Sequence, residues 1–176
     1  TRTPIDDQIQ VYSAATLFNE GNYINLSKGG YINMYPQQLG YIMYLQIILQ
    51  FAGNKAVYVV QVINCLLIMG TVYLICCFLN DLTDELIPRI FGSILLLFLL
   101  PLYLMGSWVY GDVPFYFFMF LFLHNFIKAS KCREKKNIIG AIVAAVFCLI
   151  FRKHALIFLI AVVIVCFISF LEKRKK

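Results

Sequence analysis

Long apolar runs constrain this chain more than any other feature of its sequence. Four such runs cover residues 56–79, 87–109, 113–127 and 138–171. A helix needs about 20 apolar residues to cross the hydrocarbon core of a bilayer. The composition agrees, because 61% of the residues are hydrophobic and only 14% are charged, whereas soluble domains are about half apolar and a quarter charged. We therefore expect an all-α, polytopic bundle of transmembrane helices in a multi-pass protein of the cell membrane.

The fourth run contains an interruption at Phe151-Arg152-Lys153-His154. If one helix continued through this point, its cationic side chains would lie near the centre of the bilayer, where each costs a few kcal/mol. The run is therefore interpreted as two short spans joined by a turn. The cationic turn can bind an anionic lipid head group, because Arg and Lys pair with phosphate oxygens. It can equally place long side chains among lipid phosphates in general.

Two strongly basic segments, 128–136 and 172–176, indicate the sidedness of the chain. The positive-inside rule places both in the cytoplasm, which two spans between them satisfy. Counting backwards, 80–89 is expected inside, whereas Asp112 and the acidic N-terminal segment are expected outside. The net charge of +6 is thus interpreted as a topology signal, and no nucleic-acid partner is expected.

The first 55 residues are more polar and begin with an acidic pair, Asp6 and Asp7. Apolar residues at helical spacing follow, which predicts an amphipathic helix that closes at Gly21. An acid at a helix N-terminus can be a cap that also suits the helix dipole, worth about 1 kcal/mol. It can also be a carboxylate held at the membrane surface as a general base. Asp112 stands at a second helix entrance, with the same two interpretations.

The segment 31–40 precedes a short apolar piece, 40–53. Pro36 can begin a helix, and the residues before it are expected to be extended. Aromatic and amide groups here, among them Tyr35, Gln37 and Gln38, are typical of sugar sites and of ordinary membrane-interface belts. The piece 40–53 has the composition of an interfacial helix, although charge counting alone also allows it to span.

The six cysteines form no zinc-ligand spacing, and the sequence contains no nucleotide-binding glycine loop and no Ser/His/Asp set. We therefore expect neither a cofactor nor an evident metal site, although a divalent metal requirement is left open. The chain opens with Thr1 rather than Met, and we expect it to be part of a longer protein.

The order of these features resembles the membrane glycosyltransferases of the GT-C fold, in particular the bacterial protein-mannosyltransferase and aminoarabinose-transferase type. The resemblance is carried by the acidic pair with its amphipathic helix, by Tyr35-Pro36-Gln37-Gln38-Leu39-Gly40 and by the short helix that ends at Phe51-Ala52-Gly53. Further along, it rests on Tyr110-Gly111-Asp112 and on Arg152-Lys153-His154.

The resemblance implies an extracytoplasmic loop with juxtamembrane helices over 1–55 and part of a GT-C helical module over 56–176. It favours the interfacial interpretation of 40–53 and a bacterial source. In that family a first transmembrane helix precedes the acidic residue, and further helices follow the basic turn. The chain is therefore expected to be an N-terminal piece, and whether this piece is active alone is left open.

The implied activity is transfer of a sugar from a polyprenyl-phosphate donor to a hydroxyl of a glycan, lipid or protein acceptor, with inversion. The base would be Asp7, preferred over Asp6. The donor phosphate would bind Arg152, Lys153 and His154, and four further residues would orient the substrates: Asp112, Tyr35, Gln37 and Gln38. The rival hypothesis is a non-enzymatic polytopic membrane protein, either a transporter half or an assembly subunit. Convergence of Asp7, Asp112 and Arg152 on one cavity would favour the enzyme.

Overall fold

A computed structural model describes residues 3–132 and 134–175, and all of their regular elements are helical. The predicted all-α class is therefore confirmed for this part of the chain. The α-helices are α1 (Asp7–Asn19), α2 (Tyr31–Met34), α3 (Leu39–Ala52), α4 (Ala56–Leu82), α5 (Leu86–Leu97), α6 (Leu100–Leu104), α7 (Asp112–Cys132), α8 (Lys135–Phe151) and α9 (Ala155–Lys175). Short 3₁₀ turns occupy Ile24–Leu26, Pro36–Gln38, Gly53–Lys55 and Met105–Ser107.

Two helical stretches are long and apolar enough to cross a membrane. They are Pro36–Asp81 and Asp112–Cys132. The first has 46 residues and includes α3, but the 27 residues of α4 are enough to cross, so the interfacial position of 40–53 stays a prediction. The pair Leu86–Leu97 and Leu100–Ser107 makes a third if its two bent halves count as one span. Large apolar side chains such as Ile87 and Phe91 lie exposed on the helix surfaces. Such a surface suits lipid, whereas water would make it an aggregation site.

The structure differs from the sequence-based expectation in two places. The run 87–109 is not one straight span, because α5 and α6 meet at a bend of 46°. Pro101 accounts for this, since a proline inside a helix removes a backbone donor and clashes with the preceding turn. The residues before Pro36 are not extended as a group: Tyr31–Met34 form a helical turn, and only Tyr35 leaves the helical region.

Helix α1 packs its apolar face on α3, as the predicted amphipathic pattern requires. Val11, Ala14, Ala15 and Phe18 are buried along this face and belong to the same core cluster as Tyr41, Ile42 and Leu45 of α3. The amide of Gln46 also donates to the Phe18 carbonyl at 3.2 Å. These contacts fix the start of α1, with its acidic pair, relative to α3.

Helix α3 in turn contacts the end of α8. A side chain at Gly40 would place its Cβ 2.1 Å from the Ile150 carbonyl oxygen, so the two backbones approach closely here because Gly40 has no side chain. Tyr44 meets the Phe151 ring edge-on at 5.7 Å between centroids, and Phe118 of α7 stacks on Phe151 at 5.8 Å. The N-terminal segment is therefore held at the end of the α7 and α8 hairpin where α7 begins and α8 ends.

The opposite end of the hairpin carries the basic loop. Lys131 donates to the Asp81 carbonyl at 3.1 Å, with the Asp81 carboxylate 4.0 Å away. The end of α4 and the end of α7 thus meet, as expected if 80–89 and 128–136 lie on one side of the membrane. Of the basic tail, Lys176 lies outside the described residues.

Candidate functional site

An ion pair joins the beginning of α7 to the turn after α8. Asp112 is the first residue of α7, and Arg152 leaves the helical conformation directly after α8. The Arg152 Nη2 lies 2.7 Å from the Asp112 Oδ2, and the side chains are only 12% and 25% exposed. Charge-assisted hydrogen bonds of this length are among the stronger ones in proteins. The structure has the predicted break between two helices here, whereas their crossing of the membrane as two spans stays a prediction. Two of the predicted site residues are in contact.

Tyr110 connects this ion pair to the acidic N-terminal segment. The Arg152 guanidinium carbon lies 4.2 Å from the centre of the Tyr110 ring, within the range of a cation–π interaction. The Tyr110 hydroxyl accepts a hydrogen bond from the Gln38 amide and points its own proton at Asp7 Oδ2, 3.5 Å away. Asp7, Gln38, Asp112 and Arg152 are therefore linked through one tyrosine that the sequence analysis did not select.

Tyr31 lies beside the same cluster. Burial raises the pKa of the Tyr31 phenol well above its usual value, and the neighbouring Tyr110 and Asp7 raise it further. The charged form of a phenol is disfavoured both by desolvation and by nearby negative charge. Tyr31 therefore stays neutral at ordinary pH and adds no second negative charge next to Asp7.

The loop that carries Tyr110 is held by polar side chains of α1 and α4. Gln8 accepts a hydrogen bond from the Val109 amide at 3.0 Å. Asn64 and Gln61, both buried in α4, donate to the carbonyls of Trp108 at 2.7 Å and Ser107 at 3.1 Å. Buried polar groups are costly unless they are hydrogen-bonded, so these amides make this the favoured position of the loop.

Gly111 lets the loop approach the end of α8. A Cβ on this residue would lie 3.0 Å from the Phe151 carbonyl oxygen, tighter than ordinary contacts. Gln61 and Asn64, which hold this loop, could have been found in the sequence. They are polar residues three positions apart and so share one face of an otherwise apolar helix.

A cavity of about 280 Å³ opens beside Asp7. Carboxylates and aromatic rings share its lining, which consists of Ile5, Asp6, Asp7, Gln8, Trp108 and Tyr110. Asp112 and Arg152 do not line it, so this cavity does not bring the acid, Asp112 and Arg152 together as predicted. Asp6 has φ 49 and makes no capping hydrogen bond with its side chain, so the capping interpretation of the acidic pair does not describe Asp6. A non-glycine residue in this backbone region is strained by about 1 to 3 kcal/mol, and such residues cluster at functional sites.

Three buried polar atoms around Tyr110 and the ion pair have no hydrogen-bond partner within the described part of the chain. They are Gln38 Oε1, Tyr41 Oη and Arg152 Nε. An unpaired buried polar atom costs about 1 to 3 kcal/mol. This end of the bundle therefore holds several unsatisfied polar atoms, all of them sealed from the surface.

The other predicted residues lie at the edge of this cluster. Lys153 and His154 follow Arg152 with exposed side chains, and Gln37 is partly exposed. Tyr35 is exposed and tilts against Tyr31 at 5.2 Å between ring centres. Within 3–132 and 134–175, no group of three or more His, Cys, Asp or Glu side chains could hold a metal ion.

Comparison of the chain with protein-family models, with curated proteins and with solved structures gave no match. The function is therefore argued from the geometry of this cluster and from the order of motifs in the sequence. The class of protein that the fold defines is a helical protein with two or three helices able to cross a membrane.

Proposed function

We propose that the chain is part of an integral membrane glycosyltransferase of the GT-C type. It would transfer a sugar from a polyprenyl-phosphate donor to an acceptor hydroxyl on the extracytoplasmic face, with inversion at the anomeric carbon. The observation that supports this proposal is the contact chain from Asp7 through Tyr110 to Arg152 and Asp112. Those residues come from three distant parts of the sequence, and the sequence analysis singled out three of them for the same reaction.

The acidic end of the contact chain supplies the base in this proposal. The Asp7 carboxylate is exposed at the cavity, where an acceptor hydroxyl can reach it. As the hydroxyl oxygen bonds to the anomeric carbon, Asp7 takes the hydroxyl proton. The bond between the anomeric carbon and the phosphate oxygen breaks on the opposite face, so configuration inverts.

The basic end of the contact chain receives the leaving group. The departing lipid phosphate gains negative charge, which fixed cationic groups stabilise without reorganisation. Lys153 and His154 have exposed side chains next to Arg152, so a phosphate can reach them from outside the protein. Arg152 keeps Asp112 as its partner and contributes its unpaired Nε. Asp112 thereby orients the cation rather than acting as a second base.

The test is replacement of Asp7 by Asn in the full-length protein, with Asp6→Asn as the matched control. Loss of a positioned general base costs a factor of about 100 to 10,000 in rate. We expect Asp7→Asn to lose sugar transfer to that extent and Asp6→Asn to keep most of it. Transfer is measured with purified protein, a radiolabelled polyprenyl-phosphate sugar and a panel of acceptors, and thermal unfolding of each variant shows that it is folded.

Near-normal turnover of the Asp7→Asn variant would remove Asp7 from the mechanism, and loss confined to Asp6→Asn would transfer the role to its neighbour. If the folded wild-type protein binds the donor lipid but transfers no sugar to any acceptor, the rival hypothesis of a non-enzymatic membrane protein is favoured. In that case the charged cluster would serve lipid binding alone.

A further inference from the structure

We infer that Tyr110 is a positioning residue that sets the Asp7 carboxylate and the Arg152 guanidinium in fixed relation to each other. This inference rests on the proposed function for its kinetic consequences, but its structural content is independent of it. The phenol uses two different parts of one side chain, the hydroxyl for Asp7 and the ring face for Arg152. Tyr110→Phe therefore removes the hydroxyl contacts and keeps the ring, whereas Tyr110→Leu removes both.

The hydroxyl contact orients Asp7. Gln38 donates to the Tyr110 oxygen, so the phenolic proton is free to turn toward Asp7 Oδ2 at 3.5 Å. Gln38 is 2% exposed and cannot turn to water for another partner. Because the exposed Asp7 side chain would otherwise sample several rotamers, a donor fixed on one side restricts which carboxylate oxygen faces the cavity.

The ring contact orients Arg152. The guanidinium lies 4.2 Å from the ring centre while its Nη2 binds Asp112 at 2.7 Å. Those two contacts hold the plane and the direction of the guanidinium, so it need not reorganise as negative charge develops nearby. A leucine would keep apolar volume there but has no π face to attract the cation.

The backbone on both sides of Tyr110 is fixed independently of its side chain. The Val109 amide is bound to Gln8 and the Trp108 carbonyl to Asn64. Gly111 follows directly, in close approach to the Phe151 carbonyl. Removing the Tyr110 hydroxyl therefore leaves these backbone contacts of the loop in place. An effect of Tyr110→Phe then reports loss of the hydroxyl rather than displacement of the loop.

The experiment compares Tyr110→Phe and Tyr110→Leu in the full-length protein with Tyr103→Phe as the control. Tyr103 donates its hydroxyl to the Leu96 carbonyl at 3.1 Å, in the α5 and α6 pair rather than at the site. A hydrogen bond to a charged group corresponds to about tenfold to a hundredfold, and the length of this one favours the lower value. We expect Tyr110→Phe to lower kcat about tenfold with the donor KM within about twofold of wild type.

Tyr110→Leu should lower kcat as well and also raise the donor KM, because the Arg152 contact is lost too. Tyr103→Phe should leave both constants unchanged. The second readout is modification of Arg152 by phenylglyoxal, followed by peptide mass mapping. Tyr110→Leu should speed this modification, whereas Tyr110→Phe should match wild type, since the ring still covers the guanidinium.

Equal rates of Arg152 modification in wild type, Tyr110→Phe and Tyr110→Leu would overturn the inference, whether or not the protein transfers sugar. Unchanged kcat in Tyr110→Phe, measured on an active wild type, would also overturn it. A third outcome is that wild type transfers no sugar, while Arg152 is modified faster in Tyr110→Leu than in wild type and Tyr110→Phe. The proposed function then fails, and the positioning of Arg152 by Tyr110 stands.

Discussion

At the scale of single residues, the state of Arg152 is the feature that most affects how the site would bind an anion. The guanidinium is already paired with Asp112 and is mostly buried. An incoming phosphate must share this cation rather than find it free. Removing one partner of a buried pair is costly, because it leaves the other charge unpaired. Lys153 is exposed and is not part of this ion pair.

A lipid-binding titration separates these two cations. We expect Arg152→Ala and Lys153→Ala each to weaken binding of a polyprenyl-phosphate by about tenfold to a hundredfold, at about 1.5 to 3 kcal/mol for a contact to a charged group. Binding of the uncharged polyprenol should hardly change. Arg152→Ala should also lower the melting temperature, and Lys153→Ala should not.

The control variant for the titration is Lys55→Ala, which removes an exposed lysine beyond the far end of α3. It should bind both lipids as wild type does. Equal losses for the phosphate and the alcohol in the Lys153→Ala variant would show that the turn supports packing rather than phosphate recognition.

The site residues differ in how well the sequence predicts them. Arg152 interrupts an apolar run and Asp112 stands between two such runs, so both stand out in the sequence. Asp7 was selected instead as an acid at a predicted helix start and through the family resemblance. Tyr110 is one of 11 tyrosines, and although it was quoted in the motif Tyr110-Gly111-Asp112, no role was assigned to it. Its contacts to Asp7 and Gln38 join positions 103 and 72 residues apart, a separation that residue patterns do not encode.

At the scale of helices, sequence patterns predict breaks caused by charge better than breaks caused by packing. The α8 and α9 break follows from Arg152 and Lys153, because charges are costly inside lipid. The bend between α5 and α6 falls within residues 94–105, which contain no charged side chain to mark a break. Pro101 was present in the sequence, but prolines are tolerated in membrane helices when neighbours satisfy the freed groups, so its position alone did not predict a bend.

Because α3 approaches the backbone of α8 closely at Gly40, alanine should be tolerated less well there than at a glycine that faces only side chains. Gly40→Ala would bring a Cβ within 2.1 Å of the Ile150 backbone oxygen, and backbone cannot move aside as a side chain can. Overpacking of this kind costs about 1 to 3 kcal/mol. We expect a lower melting temperature in detergent and weaker sugar transfer, because Gln38, which contacts Tyr110, directly precedes α3.

Gly92→Ala is the matched control for that substitution. Its Cβ would meet only the flexible methyl groups of Leu79, at 2.9 Å and 3.0 Å, and alanine is favoured over glycine inside a helix by about 1 kcal/mol. This variant should be as stable as wild type or slightly more stable. Equal stability of the Gly40→Ala and wild-type proteins would show that α3 and α8 do not pack closely.

At the scale of the whole molecule, polar chemistry is separated between the two ends of the helices. Asp7, Asp112 and Arg152 gather at one end, and Lys131 meets Asp81 at the other. The helix surfaces between these ends expose large apolar side chains. That distribution fits a chain that crosses a membrane with its proposed site on one side and its basic loop on the other.

Cysteine labelling in intact cells tests this orientation. Cys132 is exposed in the basic loop and should resist a membrane-impermeant maleimide added from outside. A cysteine introduced at Asn54, also exposed, should react with it in a background lacking the native cysteines. Both positions should react once the membrane is permeabilised. Labelling of Cys132 in sealed cells would contradict the predicted orientation of the chain.

The ion pair between Asp112 and Arg152 also has a mechanical meaning. The two long helices α7 and α8 are joined at one end by the peptide chain and near the other by this charged contact, beside the stacking of Phe118 on Phe151. The peptide link is fixed, whereas the ion pair can admit a further anion. An anion that shares Arg152 with Asp112 would therefore strengthen the connection between the two helices only at the end where it binds.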